Sequence, residues 1–144
     1  MNVEGILRVK GTRVTTIPPD ATVASLVRGL RDERIGAMVV SVDGYTVDGI
    51  VSERDVVHGL AVSGARVLDR KVSEIMTTPV STCSPNDLVK TVMETMTLRR
   101  IRHLPVVSNG RLVGIVSIGD IVKNRLDEMA TETSVLREAY LAGR

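Results

Sequence analysis

The sequence predicts an α+β fold in which two tandem β-α-β-β-α repeats pack against each other as a pseudo-two-fold pair. Three observations lead to this prediction. The chain repeats itself, both copies show helix and strand patterns in the same order, and the 144 residues suffice for one shared core. A single copy of about 50 to 60 residues would be only marginally stable alone, so we expect the two copies to form one globule.

The internal repeat consists of identical residues at equivalent positions in the two halves. The matched pairs are Thr16 and Thr82, Pro19 and Pro85, Ile35 and Ile101, Val40 and Val106, and Gly44 and Gly110. After one residue is dropped, Gly49-Ile50-Val51-Ser52 matches Gly114-Ile115-Val116-Ser117, and Asp55 matches Asp120. Self-similarity at a fixed period indicates repeated structural units.

The first helix of each copy is predicted from apolar residues at helical spacing. These residues are Val23, Leu26, Val27 and Leu30 in the first copy, and Val89, Val92, Met93 and Met96 in the second. Pro19 and Pro85 are expected in the first turns of these helices, where a missing N–H costs nothing.

Two strands joined by a tight turn are expected after each of these helices. The strands are predicted at residues 38–42 and 47–51 in the first copy, and at 104–107 and 112–116 in the second. Asp43-Gly44 and Asn109-Gly110 lie between them, and such dipeptides predict two-residue hairpins because both residues tolerate a positive φ. A last helix is expected to begin near Asp55 and near Asp120.

These elements divide the chain into two repeats and a polar tail. We expect repeat 1 at residues 5–65, repeat 2 at residues 72–128 and the tail at residues 129–144. A helical tail would carry its apolar residues on one face: Val135, Leu136, Ala139 and Tyr140. Two interpretations of this tail stay open, a frayed terminal helix and a dimer contact.

Composition argues against a nucleic-acid-binding protein. Of the residues 43% are hydrophobic, yet the chain has no Phe or Trp and two tyrosines, so the core is expected to be aliphatic. Aromatic stacking on bases is therefore not expected. The net charge of +2 is also too small for a general nucleic-acid surface.

Cysteine and histidine content argues against disulfides, metal binding and catalysis. Cys83 is the single cysteine, so no intrachain disulfide forms. The chain shows neither a signal-peptide start nor about 18 consecutive apolar residues, so we expect a cytoplasmic protein without a membrane partner. His58, His103 and Cys83 are too dispersed for a zinc site, and no catalytic triad order, nucleophile turn or P-loop occurs.

The candidate chemistry lies in a Gly-x-x-Ser-x-x-Asp motif that occurs once per copy. Its members are Gly49, Ser52 and Asp55 in the first copy, and Gly114, Ser117 and Asp120 in the second. A strand that turns into a helix here exposes N–H groups and a positive dipole end, which favour phosphate. The carboxylate could accept hydrogen bonds from ribose hydroxyls. The competing interpretation is a helix capping box, in which Ser and Asp satisfy backbone groups only.

A basic cluster distinguishes the second copy. Arg100, Arg102 and His103 directly precede the strand that begins at Leu104. Basic groups at the start of a buried strand favour an anionic partner, so Arg102 and His103 are candidate phosphate ligands. Arg99 and Arg100 are interpreted instead as a solvated edge, and the alternative for His103 is a structural histidine. The matching stretch of the first copy, at residues 35–38, carries no charge, so the two sites are expected to differ.

With the duplicated unit, the paired motifs and Arg102-His103-Leu104-Pro105-Val106-Val107 in view, the chain resembles the CBS (cystathionine β-synthase) domain family. It is similar to the stand-alone tandem pairs, or Bateman modules, over about residues 5–127. The resemblance implies a pseudo-symmetric CBS pair with two equivalent sites in a central cleft and a homodimer formed through helices. It also implies ligands such as AMP, ADP, ATP, NAD(H) or S-adenosylmethionine.

The resemblance also implies roles for individual residues. The motif Asp binds ribose, the motif Ser contacts phosphate or ribose, the first Thr of each repeat approaches the base, and residues before the central strand line the pocket. The second-repeat site, which the basic pair favours, would consist of Thr82, Ile101, Arg102, His103, Ser117 and Asp120. The first-repeat site would consist of Thr16, Ile35, Gly36, Ala37, Ser52 and Asp55.

The leading hypothesis is therefore a non-catalytic, adenylate-sensing regulatory module with no catalytic cofactor and no metal. Its adenine nucleotide would change contacts with a regulated protein that the sequence does not identify. The alternative is a ligand-free dimerisation or protein-interaction module in which Ser52 and Ser117 are caps alone.

Overall fold

The computed structural model describes residues 1–143 and shows helices and strands in two copies of one unit. In chain order the elements are α1 (Val3–Lys10), β1 (Thr16–Ile17), α2 (Val23–Glu33), β2 (Ala37–Val40), β3 (Gly49–Ser52), α3 (Glu53–Ser63), a 3-10 helix (Gly64–Asp69), α4 (Val72–Ile75), α5 (Val89–Arg99), β4 (His103–Ser108), β5 (Arg111–Ser117) and α6 (Ile118–Ala142). The order β1-α2-β2-β3-α3 recurs as α5-β4-β5-α6. The predicted α+β fold of tandem repeats is confirmed.

Each copy has its own small sheet. In the first copy β2 lies between β1, to which it is parallel, and β3, to which it is antiparallel. In the second copy β4 and β5 form an antiparallel pair. The counterpart of β1 is reduced there to one parallel bridge between Cys83 and Val106. The repeats therefore share a topology but differ in strand length.

The segment that precedes each repeat packs into the core of the other repeat. Helix α1 contributes Val3, Ile6 and Leu7 to the hydrophobic cluster of the second repeat. The 3-10 helix and α4 contribute Val67 and Val72 to the cluster of the first repeat. Because each core is completed by a segment exchanged in this way, burial of apolar surface stabilises the two halves together.

The two prolines do not lie where the sequence predicts them. Helices α2 and α5 begin at Val23 and Val89, so Pro19 and Pro85 lie upstream of the helices and not in their first turns. Their carbonyl oxygens accept hydrogen bonds from the exchanged segments, at 2.9 Å from the N–H of Ser73 to Pro19 and 2.9 Å from the N–H of Glu4 to Pro85. The prediction was wrong because these positions anchor the exchanged segments.

The two predicted hairpin turns have different outcomes. Asn109 and Gly110 have φ values of 53° and 75°, the left-handed pair that a tight hairpin turn needs. They join β4 directly to β5, where Ser108 pairs with Arg111. The tight turn predicted for the second repeat is confirmed.

The turn predicted at Asp43-Gly44 is wrong, since residues 41–48 form a longer loop between β2 and β3. The carboxylate of Asp43 organises this loop by accepting hydrogen bonds from the N–H groups of Thr46 (2.7 Å) and Tyr45 (2.8 Å). These bonds hold the pKa of Asp43 well below its ordinary value. An Asp that binds the backbone in this way stabilises a wider turn than the dipeptide alone suggests.

The polar tail continues α6, which runs without a break from Ile118 to Ala142. Its apolar residues Val135, Leu136 and Tyr140 are exposed. The last residue of the predicted tail, Arg144, lies outside the described residues. Among the residues that are described, we find no helix whose length and apolar character would let it cross a membrane.

Candidate functional site

Two pockets lie side by side between the repeats and share one wall. The pocket that contains Ser117 has a volume of about 360 Å³, and the pocket that contains Ser52 has a volume of about 410 Å³. We call them the Ser117 pocket and the Ser52 pocket. Gly36, Ala37 and His103 line both, so the wall between the pockets combines residues of both repeats.

Gly36 makes room for His103 at this shared wall. A Cβ atom at position 36 would lie 3.2 Å from His103 Cε1 and 3.2 Å from Glu53 Oε1, closer than most real contacts. In the internal repeat Gly36 and Ala37 correspond to Arg102 and His103. The side chain missing at Gly36 of one copy therefore leaves space that His103 of the other copy occupies.

The imidazole of His103 is held in its neutral form. Burial lowers its pKa, and the nearby cations Lys10 and Arg102 act in the same direction. Glu53 and Asp120 raise the pKa without reversing the shift. At pH 7 the side chain therefore presents a neutral ring to both pockets, and an incoming anion would favour its protonation.

The motif residues form a capping box at each strand-to-helix junction. The Asp120 carboxylate accepts hydrogen bonds from the Ser117 N–H (2.8 Å) and hydroxyl (3.0 Å), and the Ser117 hydroxyl accepts one from the Asp120 N–H (3.2 Å). At the other junction the Asp55 carboxylate accepts bonds from the Ser52 N–H (2.8 Å) and hydroxyl (3.2 Å). The capping interpretation is therefore correct for this structure. Ser52 and Ser117 nevertheless line the two pockets at the starts of their helices.

The motif glycines serve the packing of the exchanged segments. A Cβ atom at Gly114 would lie 2.8 Å from a methyl carbon of Leu7 in α1. A Cβ atom at Gly49 would lie 2.5 Å from the sulfur of Met76, which follows α4. Each glycine thus permits the close approach of the segment that brings a further polar side chain to the motif carboxylate.

Those further side chains differ between the two junctions. The Lys10 ammonium donates to Asp120 Oδ2 at 2.7 Å and to the Ile115 carbonyl at 2.8 Å. At the other junction the Thr77 hydroxyl donates to Asp55 Oδ1 at 3.3 Å. Burial alone would raise the pKa of Asp120, but the bonds from Lys10 and Ser117 and the charge of Lys10 lower it overall.

Each pocket combines the motif of one repeat with the strand entry of the other. Ser117 shares its pocket with Ile35, Gly36 and Ala37 of the first repeat. Ser52 and Asp55 share theirs with Ile101 and Arg102 of the second repeat. The grouping of site residues within one repeat stays a prediction, since Gly36, Ala37, Ser52 and Asp55 of the first repeat do line one pocket together, and His103 and Ser117 of the second line the other. Each lining adds residues of the opposite repeat because the two repeats pack face to face.

The remaining predicted residues lie at the edges of this arrangement. Asp120 is bonded to Ser117 and Lys10 but lines a neighbouring groove of about 690 Å³ between α1 and α6. Among the described residues, the linings of the Ser117 and Ser52 pockets contain neither Thr16 nor Thr82. Thr15 and Thr77 line the pockets instead.

Sequence reasoning missed most of the basic residues of the site. Arg54, Arg99, Arg100 and Arg102 line the Ser52 pocket together with Glu53 and Asp55. Lys10, Arg13 and Arg34 line the Ser117 pocket together with Glu33, which pairs with Arg13 at 3.0 Å. Although residues 35–38 carry no charge, both pockets are therefore lined by basic side chains. Arg34 and Arg100 occupy matched positions, and each ends its helix with a positive φ. A comparison of the two copies could have identified this pair as basic residues of the site.

Within residues 1–143, which the structure describes, no cluster of three or more His, Cys, Asp or Glu side chains could hold a metal ion. Cys83 is buried, and burial, with a contribution from Asp87, raises its pKa to about 12. The fold and the two pockets together define a pseudo-symmetric pair of repeats with two clefts between them that charged side chains line in part.

Comparison with known proteins identifies this class. The model of the CBS domain family matches residues 8–62 and 72–127, and the chain belongs to this family as a tandem CBS pair. The boundaries predicted above, 5–65 and 72–128, stay predictions. A curated relative, the mitochondrial CBS domain-containing protein CBSX3 of Arabidopsis thaliana, is 36% identical over 128 residues. That alignment covers 86% of this chain but 62% of the relative, less than two thirds of its length.

Two solved structures illustrate the likeness. The CBS-domain containing protein ATU1752 from Agrobacterium tumefaciens is 45% identical with a TM-score of 0.83, over 86% of this chain and 92% of that one. The CBS domain pair of protein MJ0100 was solved in complex with 5'-methylthioadenosine and S-adenosyl-L-methionine. It is 25% identical with a TM-score of 0.78, over 89% of this chain and 98% of that one.

Proposed function

We propose that this CBS pair is a non-catalytic regulatory module that binds adenosine-containing nucleotides in the Ser117 and Ser52 pockets. The observation that carries the proposal is that both pockets combine a motif Ser at a helix N-terminus with several basic side chains. Helix N-termini and guanidinium groups both favour phosphate. The volumes of about 360 and 410 Å³ fall within the range of roughly 300 to 1,000 Å³ usual for small-ligand sites.

The basic linings favour ligands with phosphate groups. We therefore propose AMP, ADP, ATP or NAD(H) as ligands ahead of S-adenosylmethionine, whose sulfonium is cationic. The adenosine ligands of the MJ0100 pair support an adenosine moiety in general. In this assignment Asp55 and Asp120 accept bonds from ribose hydroxyls, while Arg102 and His103 bind phosphate. We keep the cytoplasm as the proposed compartment and an unidentified protein as the regulated partner.

Titration calorimetry with AMP, ATP, NADH and S-adenosylmethionine tests this function. We expect wild-type protein to bind at least one phosphate-bearing ligand, and Asp120→Ala to weaken the binding at one of two sites. Asp20→Ala is the matched control because Asp20 is exposed and lies outside both pockets. Failure of the wild type to bind any of the four ligands contradicts the function. Unchanged binding in Asp120→Ala contradicts only the assignment of the site.

A second candidate is a ligand-free dimerisation module, and the exposed apolar residues of α3 and α6 favour it. These residues are Val57, Leu60, Val122, Leu126 and Met129. We propose that they form a homodimer contact in either case, since side chains of this kind pack at protein interfaces. Light scattering should give a dimer for the wild type and a monomer for Leu126→Glu. The ligand-free alternative further expects that no nucleotide raises the melting temperature.

A further inference from the structure

Lys10 distinguishes the Ser117 pocket from the Ser52 pocket. It is the last residue of α1, a helix that buried side chains anchor in the second core. Its ammonium lies 2.7 Å from Asp120 Oδ2, whereas the corresponding partner of Asp55 is the neutral hydroxyl of Thr77, 3.3 Å from Oδ1. One motif carboxylate is therefore paired with a cation and the other with an uncharged donor.

The ammonium and a bound sugar would use the same oxygen. Asp120 Oδ2 already accepts hydrogen bonds from the Ser117 N–H and hydroxyl as well as from Lys10. A vicinal diol that binds a carboxylate through both oxygens adds a further donor to Oδ2. The flexible Lys10 side chain is the donor that can leave, because the Ser117 groups are fixed at the start of α6.

A displaced Lys10 needs another anion. Its side chain is 33% exposed, and it lines the Ser117 pocket beside His103. The other cations of this pocket are Arg13 and Arg34, while its acidic residue Glu33 is already paired with Arg13. An ammonium without a partner in a partly buried, cationic pocket is unfavourable, whereas a phosphate in the pocket would pair with it.

We propose that Lys10 makes the Ser117 pocket select phosphorylated adenosine ligands over neutral adenosine compounds. Lys10 lines both the Ser117 pocket and the neighbouring groove that contains Asp120, so a ribose that displaces Lys10 reaches Asp120 from the Ser117 pocket. The ligand phosphate then receives the released ammonium. Thr77 imposes no such selection on the Ser52 pocket because its release leaves no charge behind. This inference rests on the proposed function and adds the chemical class of ligand that one of its two pockets accepts.

AMP and adenosine are suitable probes because they differ only in the phosphate group. The affinities are measured by calorimetry in an Asp55→Ala background, which removes the diol acceptor from the Ser52 pocket. We expect Lys10→Met to lower the AMP affinity about 10- to 100-fold, the range for a lost charged hydrogen bond. The adenosine affinity should stay the same or rise. Lys10→Arg should keep the preference for AMP over adenosine, and Lys10→Gln should reduce it as the Met variant does, although Arg34 still favours phosphate.

Thr77→Val in an Asp120→Ala background is the matched control, and it should change the AMP and adenosine affinities by the same factor. Thermal melting verifies that each variant is folded. An unchanged ratio of AMP to adenosine affinity in both Lys10→Met and Lys10→Gln overturns the inference and leaves the proposed function intact. Loss of all AMP binding in the Asp55→Ala background also overturns the inference and leaves the proposed function intact. Absence of binding to the wild type overturns both.

Discussion

The two pockets are built from equivalent elements, yet their side chains differ. Gly36, Ala37 and His103 line both pockets. The Ser117 pocket also receives Arg34 and Ile35 from the opposite repeat, whereas the Ser52 pocket receives Arg100, Ile101 and Arg102. Because each pocket is lined by residues of both copies, a substitution in one repeat also changes the pocket whose motif belongs to the other. Duplication thus preserved the geometry of the sites, and divergence of the copies gave each site its own chemistry.

The hydrophobic cores show the same exchange in a different form. Each repeat is completed by a short segment that lies before the other repeat, α1 in one case and the 3-10 helix with α4 in the other. The pockets therefore lie between two hydrophobic cores, each of which needs a segment that lies before the other repeat. This dependence is the first feature that mutation can test, and its expected effect is the largest.

We expect Leu26→Ala to lower the free energy of unfolding by about 2 to 5 kcal/mol, the usual cost of truncating a buried leucine. Leu26 is fully buried in the first core, which also contains Val67 and Val72. Because the cores are interlinked, denaturant unfolding should stay a single transition for both repeats. Leu98→Ala, at a position that is 85% exposed, is the control and should change little. Two separate transitions in Leu26→Ala would contradict the interlinked cores.

The elements that sequence predicted correctly depend on neighbouring residues. Apolar periodicity located α2 and α5, and Asn109-Gly110 specified its own turn through two positive φ angles. The motif was also found in full, because capping is a contact over three residues. At Asp43-Gly44 the same local argument failed, since the Asp43 carboxylate stabilises a wider loop by binding the backbone.

The composition of each pocket could not be predicted in this way. Lys10 reaches Asp120 across most of the chain, and Arg102 lies beside Ser52 because the repeats face each other. Such pairings follow from how the repeats pack, which periodicity and motif spacing do not encode. The repeat predicted two sites, but the exchange of walls between them became visible only in three dimensions.

Arg102→Ala tests the exchange of walls between the pockets. We expect this substitution to weaken the binding of phosphate-bearing ligands in the Ser52 pocket by about 1.5 to 3 kcal/mol, the usual cost of a lost charged hydrogen bond. The effect should be coupled to that of Asp55→Ala in a double-mutant cycle, since both residues would contact one ligand. Coupling to Asp120→Ala in place of Asp55→Ala, measured by calorimetry with AMP, would contradict the assignment of Arg102 to this pocket.

Ser117→Ala has a smaller expected effect and compares the capping role with the binding role. Loss of the cap should lower the free energy of unfolding by about 1 kcal/mol without ligand, because the Asp120 N–H loses its acceptor. Ser134→Ala, an exposed site on the same helix, is the control. With a saturating nucleotide the difference should grow if the hydroxyl also binds phosphate. A difference that stays constant would assign Ser117 to capping alone.

The smallest expected effect concerns the residue that the two pockets share. Burial lowers the pKa of His103 in the folded protein, so below its ordinary value of 6.5 the unfolded chain binds this proton more readily. The stability of the wild type relative to His103→Gln should therefore fall as the pH decreases through 6.5 towards the lowered pKa. The lowered pKa of Asp120 acts in a separate window below 3.8, where stability is lost as that carboxylate is protonated.

A bound phosphate should reverse the sign of the His103 effect. An anion beside the imidazole favours its charged form, so binding takes up a proton and AMP affinity should rise as the pH falls from 8 to 6. Calorimetry in buffers of different ionisation enthalpy measures this uptake, and His103→Gln should abolish it. Because Gly36 leaves the ring open to both pockets, occupation of one pocket should also weaken proton uptake at the other. Equal proton uptake in the wild type and in His103→Gln would show that the anion lies away from the shared wall.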